Sequence, residues 1–191
     1  MHLRVTFVAA ARSSSLLAER FEDDRPLDQA GWDEVQRAAS ELVPLAAAEL
    51  RYCSPTPRSR ATGDALGYGP LVQLALRDCD MGRWRGFTLG EAMAREPEAV
   101  DAWLGDPRSA PHGGESLLSF ISRVGDWLDT RPGDDGSRIV AVAEPSVVRA
   151  ALVYALKAQP STYWNIDVRP LSSVTLTGNY RRWNLRLEAA T

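Results

Sequence analysis

The chain has 191 residues, of which 45% are hydrophobic and 25% are charged, and its formal net charge is -3. This composition is typical of a globular protein, and the length predicts one domain over residues 1–191. The small net charge gives no reason to expect a nucleic acid or an anionic membrane as partner, and no apolar run approaches the roughly 20 residues that span a bilayer.

Apolar runs alternate with helical patterns along the chain, which predicts an α/β domain with a largely parallel sheet. A first buried strand is predicted over Leu3 to Ala10, before a helix from about Gly31 to Leu50. Pro44 should kink that helix or split it in two, because a proline inside a helix removes a backbone donor. A strand at Leu50 to Cys53 and a short helix from about Arg58 to Leu66 follow.

The second half of the chain continues the same alternation. Its clearest features are a helix over Glu115 to Leu128 with one apolar face, and a wholly apolar strand at Ile139 to Ala143 that predicts burial on both faces. The other predicted elements are a strand at Leu71 to Leu76, short helices within Leu89 to Trp103, a helix from Ser146 to Leu156 with Pro145 in its first turn, and two closing strands on either side of Asn179 to Arg181.

Five segments together carry a resemblance to a known family. They are the strand ending in Ala9-Ala10-Ala11, Cys53-Ser54-Pro55 with Arg58 and Thr62, Asp78-x-Asp80-x-Gly82-x-Trp84-x-Gly86 with Glu91, Pro111-His112-Gly113-Gly114-Glu115-Ser116, and the strand Ile139 to Ala143 followed by Glu144. In this order and spacing, they resemble the histidine phosphatase (phosphoglycerate mutase-like) superfamily.

The resemblance implies a three-layer α/β/α sandwich with a largely parallel central sheet and a pocket at the carboxyl ends of the strands, where open α/β sheets generally bind ligands. By position, Ala9 replaces the family's arginine and Ala10 its nucleophilic histidine. Glu144 takes the place of the second catalytic histidine, Asp78 that of the proton-donating glutamate, and Arg58 that of a phosphate-binding arginine.

These substitutions predict that the family reaction is lost. Phosphoryl transfer depends on positioning and on stabilising charge around phosphorus. Ala10 cannot act as a nucleophile, and Glu144 replaces a positive group with a negative one. Two unit charges about 4 Å apart interact by about 4 kcal/mol at an effective dielectric of about 20, so this change would strongly weaken the binding of an anion. We therefore expect neither a phosphatase nor a mutase.

The residues retained at the pocket suggest other chemistry. Glu144 and Asp78 could divide the roles of general base and general acid, and Arg58 could hold a carboxylate or a developing oxyanion. The first hypothesis is therefore an enzyme for a small non-phosphate substrate, by dehydration, isomerisation, cyclisation or hydrolysis. The alternative is a catalytically inactive pseudo-phosphatase that binds a small molecule or a protein. A third hypothesis is a phosphatase rescued by His112 or a cysteine.

Further pocket-lining residues follow from the resemblance and from position along the chain. Structural roles are the competing interpretation for several of them: Glu144 could cap its helix or pair with an arginine, His112 could be an exposed loop residue, and Cys53 a small buried residue. The candidate ligand-binding residues are Ala10, Arg12, Ser13, Cys53, His112 and Gly113.

The expected partner is a small molecule that is not strongly anionic. The two cysteines make neither a disulfide framework nor a zinc site, and no metal or cofactor is predicted. The first strand begins near residue 3, which leaves no room for a secretion signal and favours a cytoplasmic location. Monomer and homodimer remain open.

Overall fold

A mixed sheet of six strands forms the centre of the computed structural model, which describes residues 2–12, 18–132 and 136–187. The strands lie in the order β3-β2-β4-β1-β5-β6, with β1 to β4 parallel and β5 and β6 antiparallel. Their bounds are β1 Leu3–Ala9, β2 Leu50–Cys53, β3 Leu71–Val72, β4 Arg138–Ala143, β5 Ser173–Asn179 and β6 Arg182–Arg186.

The register of the parallel strands brings three chain segments to one edge of the sheet. Ala9 of β1 is paired with Ala143 of β4, and Cys53 of β2 is paired with Val142 of the same strand. The residues that follow these strands therefore emerge side by side. Parallel pairing in this register positions the pocket described below.

Helices cover both faces of the sheet, as predicted for a three-layer α/β/α sandwich. Alternate residues of β1 separate two apolar clusters: Phe7 packs into the cluster that contains α5 and α6, and Val8 into the cluster on the side of α1. The helix bounds are α1 Gln29–Leu42, α2 Pro57–Ala65, α3 Leu89–Arg95, α4 Pro97–Gly105, α5 Leu117–Asp129 and α6 Pro145–Ala155.

Most predicted elements are found, with two differences. The helix around Pro44 is split as expected, since α1 ends at Leu42 and a 3-10 helix follows over Val43–Ala47. The predicted strand Leu71 to Leu76 is wrong beyond Val72, because β3 is an exposed edge strand of two residues and a 3-10 turn over Leu74–Leu76 then brings Leu76 into the core. A 3-10 helix at Pro160–Asn165 was not predicted.

Within the described ranges, no helix has both the length and the apolar character needed to cross a membrane.

The contact between α5 and α6 depends on the absence of a side chain at Gly125. A Cβ atom built there would lie 2.2 Å from Cδ2 of Tyr154. The tyrosine ring is held in place, because its hydroxyl donates to Asp129 at 2.5 Å and the same carboxylate accepts from Nε1 of Trp183 at 2.9 Å. Tyr154 therefore cannot move aside without breaking this hydrogen-bond group.

We predict that Gly125→Ala lowers the free energy of unfolding by about 1–3 kcal/mol, because it overpacks a filled contact. Urea denaturation of both proteins measures the difference. Gly105→Ala is the control, since a Cβ at this last residue of α4 meets no described atom within 4 Å. It should be neutral or stabilise the protein by up to about 1 kcal/mol. Equal stability of the two variants would contradict the packing argument.

Candidate functional site

A cavity of about 330 Å³ opens at the carboxyl ends of the parallel strands. Ala10 follows β1, Glu144 follows β4, and Asp78 lies in the loop after β3; all three line the cavity. The small side chain of Ala10 leaves room at the sheet edge between the two neighbouring strand ends. The position agrees with the general location of ligand sites in open α/β sheets.

Glu144 is buried and is held by three hydroxyl groups from the segment that leads into α2. Ser59 donates to its Oε1 at 2.9 Å and Ser54 donates to its Oε2 at 2.8 Å, while Thr56 also donates to Oε1. Glu144 stands at the N-cap position of α6 but its side chain makes no capping hydrogen bond. Its partners among the described residues are hydroxyls rather than Arg12, so the side chain neither caps the helix by a hydrogen bond nor pairs there with an arginine.

Asp78 faces the same cavity from the opposite loop. Ser146 in the first turn of α6 donates to Oδ1 of Asp78 at 2.6 Å, and the backbone N–H of Cys79 donates to the same oxygen at 2.8 Å. Burial and the nearby negative charge of Glu144 raise the pKa of Asp78 to about 6. The carboxyl group can therefore be protonated, and so act as an acid, near neutral pH.

Arginine side chains supply positive charge to the cavity. Asp23 binds Arg25 through both carboxylate oxygens, and Nη1 of Arg58 lies 3.7 Å from Oδ2 of Asp23. Nε atoms of Arg58 and Arg149 are buried and have no hydrogen-bond partner among the described residues. Among the described residues, five arginines line the cavity, Arg12, Arg20, Arg25, Arg58 and Arg149, together with the five carboxylates of Glu19, Glu22, Asp23, Asp78 and Glu144.

Apolar and aromatic side chains form a further part of the lining, the apolar wall. Trp103 contacts Trp164 edge to face, with ring centroids 4.9 Å apart, and also contacts Phe21 at 5.7 Å. Leu89 and Leu104 line the same cavity and are partly exposed. The lining therefore combines charged groups with apolar ones.

The predicted site residues divide into three groups. Arg12 and Arg58 line the cavity together with Ala10, Asp78 and Glu144. Ser13 lies outside the described residues. The three other predicted ligand-binding residues, Cys53, His112 and Gly113, are not among the residues that line the cavity.

The prediction for Cys53 is wrong because of strand geometry. Its side chain is fully buried and packs in the apolar cluster on the α1 side of the sheet. Burial raises the pKa of its thiol to about 11, so it is a thiol at neutral pH. Cys79 lines the cavity instead, and burial also raises the pKa of that thiol above its usual range.

His112 and Gly113 lie outside the cavity lining, since the His112 side chain packs into the core while Gly113 is exposed. His112 is fully buried, its ring lies 5.1 Å from the ring of Trp84, and its Nδ1 accepts from the backbone N–H of Gly114 at 3.0 Å. Gly114 in turn lies against the carbonyl of Asp80, where a Cβ atom would be 2.1 Å from the oxygen. The loop is thus fixed by packing with the Asp80 to Gly82 turn, and His112 is not an exposed loop residue either.

Several cavity residues were not predicted as site residues from the sequence. Arg149 could have been found, since it lies three positions after Ser146 and so shares its face of α6. Arg25 and Phe21 come from an irregular segment, and Trp164 from the unpredicted 3-10 helix, so no periodic pattern marks them. In the described part of the chain, no three His, Cys, Asp or Glu side chains gather closely enough to hold a metal ion.

Comparisons with known proteins identify relatives of the chain. The profile of the histidine phosphatase superfamily (branch 1) matches residues 18–191. A glucosyl-3-phosphoglycerate phosphatase of Mycolicibacterium vanbaalenii is 31% identical over 173 residues, which cover 83% of this chain and 76% of that protein. A bifunctional protein of Mycobacterium tuberculosis is 29% identical over 159 residues, which cover 81% of this chain but only 43% of the relative's length.

A solved structure gives the same result for the fold. The structure of a mycobacterial glucosyl-3-phosphoglycerate phosphatase superposes with a TM-score of 0.76 at 25% identity, over 96% of this chain and 97% of that chain. The family resemblance and the fold class predicted from the sequence are confirmed.

The predicted function needs correction. The hypotheses of a non-phosphate enzyme and of an inactive pseudo-phosphatase are contradicted, because the relatives in sequence and in structure are phosphatases. The positional interpretation of Ala9 and Ala10 as replacements of an arginine and a histidine stays a prediction.

Burial lowers the pKa of His112 below its usual 6.5, with Arg83 acting in the same direction and Asp80 against it. The folded state therefore binds a proton less readily than the unfolded chain. We predict that His112 makes the free energy of unfolding decrease as the pH falls below about 6.5, by at most about 1.4 kcal/mol per pH unit.

The measurement is the difference in unfolding free energy between wild type and His112→Asn from pH 7.5 to 5. Asparagine retains an acceptor near Nδ1 but does not titrate. The difference is needed because Asp78, whose pKa is raised, acts oppositely: it makes the folded state less stable as the pH rises toward 6. A difference that does not change with pH would show that His112 titrates alike in both states.

Proposed function

Because this chain belongs to branch 1 of the histidine phosphatase superfamily, we propose that it is a phosphatase that hydrolyses a phosphomonoester, with water as the attacking group. The observation that carries the proposal is that the guanidinium groups of Arg58 and Arg149, each incompletely paired by the described residues, belong to side chains that line the same cavity as the acid Asp78. A phosphate ester offers acceptors to the arginines and an oxygen that Asp78 can protonate. The proposal replaces the expected weakly charged ligand.

Arg58 is the main candidate to bind the phosphate. Its side chain is only 13% exposed, and its 3.7 Å separation from Asp23 leaves the guanidinium group incompletely paired by that carboxylate. A guanidinium group in a cavity that is not fully paired favours an anion, and a phosphate oxygen would accept a charge-assisted hydrogen bond from its terminal N–H groups. Arg149 offers a second such group from α6. Arg12 adds positive charge where β1 ends.

Asp78 supplies the proton for the leaving group. An alkoxide is a poor leaving group, so breaking the P–O bond to it requires a proton from a positioned acid. The raised pKa of Asp78, about 6, keeps part of the carboxyl protonated near neutral pH. The hydrogen bond from Ser146 fixes one carboxyl oxygen and so orients the group.

Water is the proposed nucleophile because Ala10 carries no group that could attack phosphorus. A carboxylate can accept about four hydrogen bonds, and three described hydroxyls donate to Glu144. The fourth position is available to orient a water molecule next to Ala10. The water oxygen forms a bond to phosphorus as the ester P–O bond breaks, and Asp78 donates its proton to the leaving oxygen. One water proton remains on the inorganic phosphate, and the other restores Asp78.

The names of the relatives support phosphate ester hydrolysis as the reaction class. A glucosyl-3-phosphoglycerate phosphatase and a phosphoserine phosphatase act on organic phosphates by their names, and we propose the same general class for this chain. The expectations of no cofactor, no nucleic-acid partner, a cytoplasmic location and an open oligomeric state remain predictions.

Substitution of Arg58 tests phosphate binding. We predict that Arg58→Ala weakens binding of inorganic phosphate and of 4-nitrophenyl phosphate by about 10- to 100-fold, the effect of losing a hydrogen bond to a charged group. Isothermal calorimetry measures the dissociation constants. The matched control is Arg60→Ala, since Arg60 lies in the same helix but is exposed and outside the cavity. Equal effects of the two substitutions would refute a specific role for Arg58.

Substitution of Asp78 tests the acid. We predict that phosphate release from an alkyl phosphate declines above pH 6, since only the protonated carboxyl can donate, and that Asp78→Asn lowers kcat by about 10²- to 10⁴-fold. The effect on 4-nitrophenyl phosphate should be much smaller, because nitrophenolate leaves without a proton. Phosphate release from pH 5 to 8 is the measurement. An equal loss for both esters would assign Asp78 a structural role, and no release from either would refute hydrolysis.

A further inference from the structure

The apolar wall of the cavity has no role in binding or hydrolysing the phosphate group itself. We propose that it binds the organic part of the substrate, which is an aromatic or branched apolar group rather than a sugar or another polyhydroxy group. This inference rests on the proposed function, because it names the substrate class of the same site. It follows from the aromatic geometry, the exposure of the wall and the position of the arginines.

Three aromatic rings form the rigid part of the wall. Trp164 contacts Trp103 at 4.9 Å with an interplanar angle of 77°, and Trp103 contacts Phe21 at 5.7 Å with an angle of 81°. Trp164 also contacts Tyr163, which lines the cavity too, again edge to face at 4.9 Å. Rings that pack edge to face on their neighbours keep their orientation. The wall is therefore organised before a ligand binds.

The outer part of this wall is exposed. Leu89, Leu104 and Trp164 have exposed fractions of 46%, 39% and 38%, although each lines the cavity. Leu89 begins α3 and Leu104 lies near the end of α4, so two separate helices and the 3-10 helix direct apolar groups to one opening. Adjoining exposed apolar side chains mark a binding surface more often than isolated ones do.

The arginines of the cavity favour a ligand that carries an anionic group as well as an apolar group. Arg58 and Arg149 line the same cavity as Trp103 and Trp164, so a ligand with both parts can satisfy both kinds of surface. The volume of about 330 Å³ lies at the lower end of the range for small-molecule pockets. It is sufficient for a ring system with one phosphate group. A purely apolar ligand would leave the arginines unpaired.

A polyhydroxy group fits the wall poorly. Its hydroxyls would lose water against Leu89, Leu104 and the tryptophan rings, and an unpaired buried hydroxyl is costly. The indole N–H of Trp103 has no partner among the described residues, but its Nε1 atom is buried away from solvent and so offers these hydroxyls no donor. An aryl or branched alkyl group loses nothing there and gains the burial of apolar area.

The test compares two phosphomonoesters of equal charge, 1-naphthyl phosphate and glycerol 2-phosphate, by calorimetry on the full chain. We expect 1-naphthyl phosphate to bind at least about tenfold more tightly, from ring contacts and apolar burial. Trp164→Ala should remove most of this preference by weakening the binding of 1-naphthyl phosphate more than that of glycerol 2-phosphate. Trp32→Ala is the matched control, since Trp32 is also 38% exposed but does not line the cavity.

If Trp164→Ala does not fold, a second variant still tests the inference. Leu89→Gln keeps the length of the side chain at the start of α3 and should reduce the preference for 1-naphthyl phosphate without affecting the tryptophan packing. If both esters bind with equal affinity, or if Trp32→Ala changes the preference as much as Trp164→Ala, the inference is refuted while the proposed function stands. If neither ester binds, the proposed function itself fails, and this inference with it.

Discussion

The arrangement of the cavity depends on the hydroxyl groups that hold the carboxylate of Glu144. Ser54 and Ser59 belong to the segment after β2 and to α2, whereas Glu144 joins β4 to α6. Their hydrogen bonds therefore connect two strand ends and the first turns of two helices. A buried carboxylate is tolerated only when its oxygens are satisfied, so loss of these hydroxyls would leave an uncompensated charge at the centre of the site. The same charge raises the pKa of Asp78.

The separation of charged and apolar surfaces follows from the elements that supply them. The end of β4 and the first turn of α2 bring Glu144 and Arg58 together, because parallel pairing aligns β2 with β4, and the loop after β3 adds Asp78. The tryptophans of the apolar wall come instead from α4 and from the 3-10 helix that carries Trp164. The position of Glu144 and Arg58 is therefore fixed by the sheet register, while the apolar wall can vary with the surrounding helices. Such a division lets one fold serve many phosphate esters.

The sequence was sufficient to predict what depends on local patterns. Strand ends, helix faces and the order of the motifs located Glu144, Asp78 and Arg58, and all three line one cavity. It was insufficient where the direction of a side chain depends on tertiary packing. Cys53 ends a strand near the site but its side chain packs on the other side of the sheet, and His112 is turned inward by the contact of its loop with the Asp80 to Gly82 turn. Neither direction is encoded in periodicity or spacing.

The same limit explains why the positional argument gave the wrong function. Ala9 and Ala10 were counted as lost charge and lost chemistry, but the charge around a bound phosphate is a sum over every group that faces it. Arg149 also lines the cavity and comes from a segment that the motifs do not mark, whereas Arg25 is paired with Asp23, and Glu19 and Glu22 add negative charge to the same sum. Catalysis that depends on positioning and on distributed electrostatic stabilisation is reduced, rather than removed, when one group is absent. A substituted motif residue therefore requires a different expected mechanism, but it does not by itself exclude the reaction class.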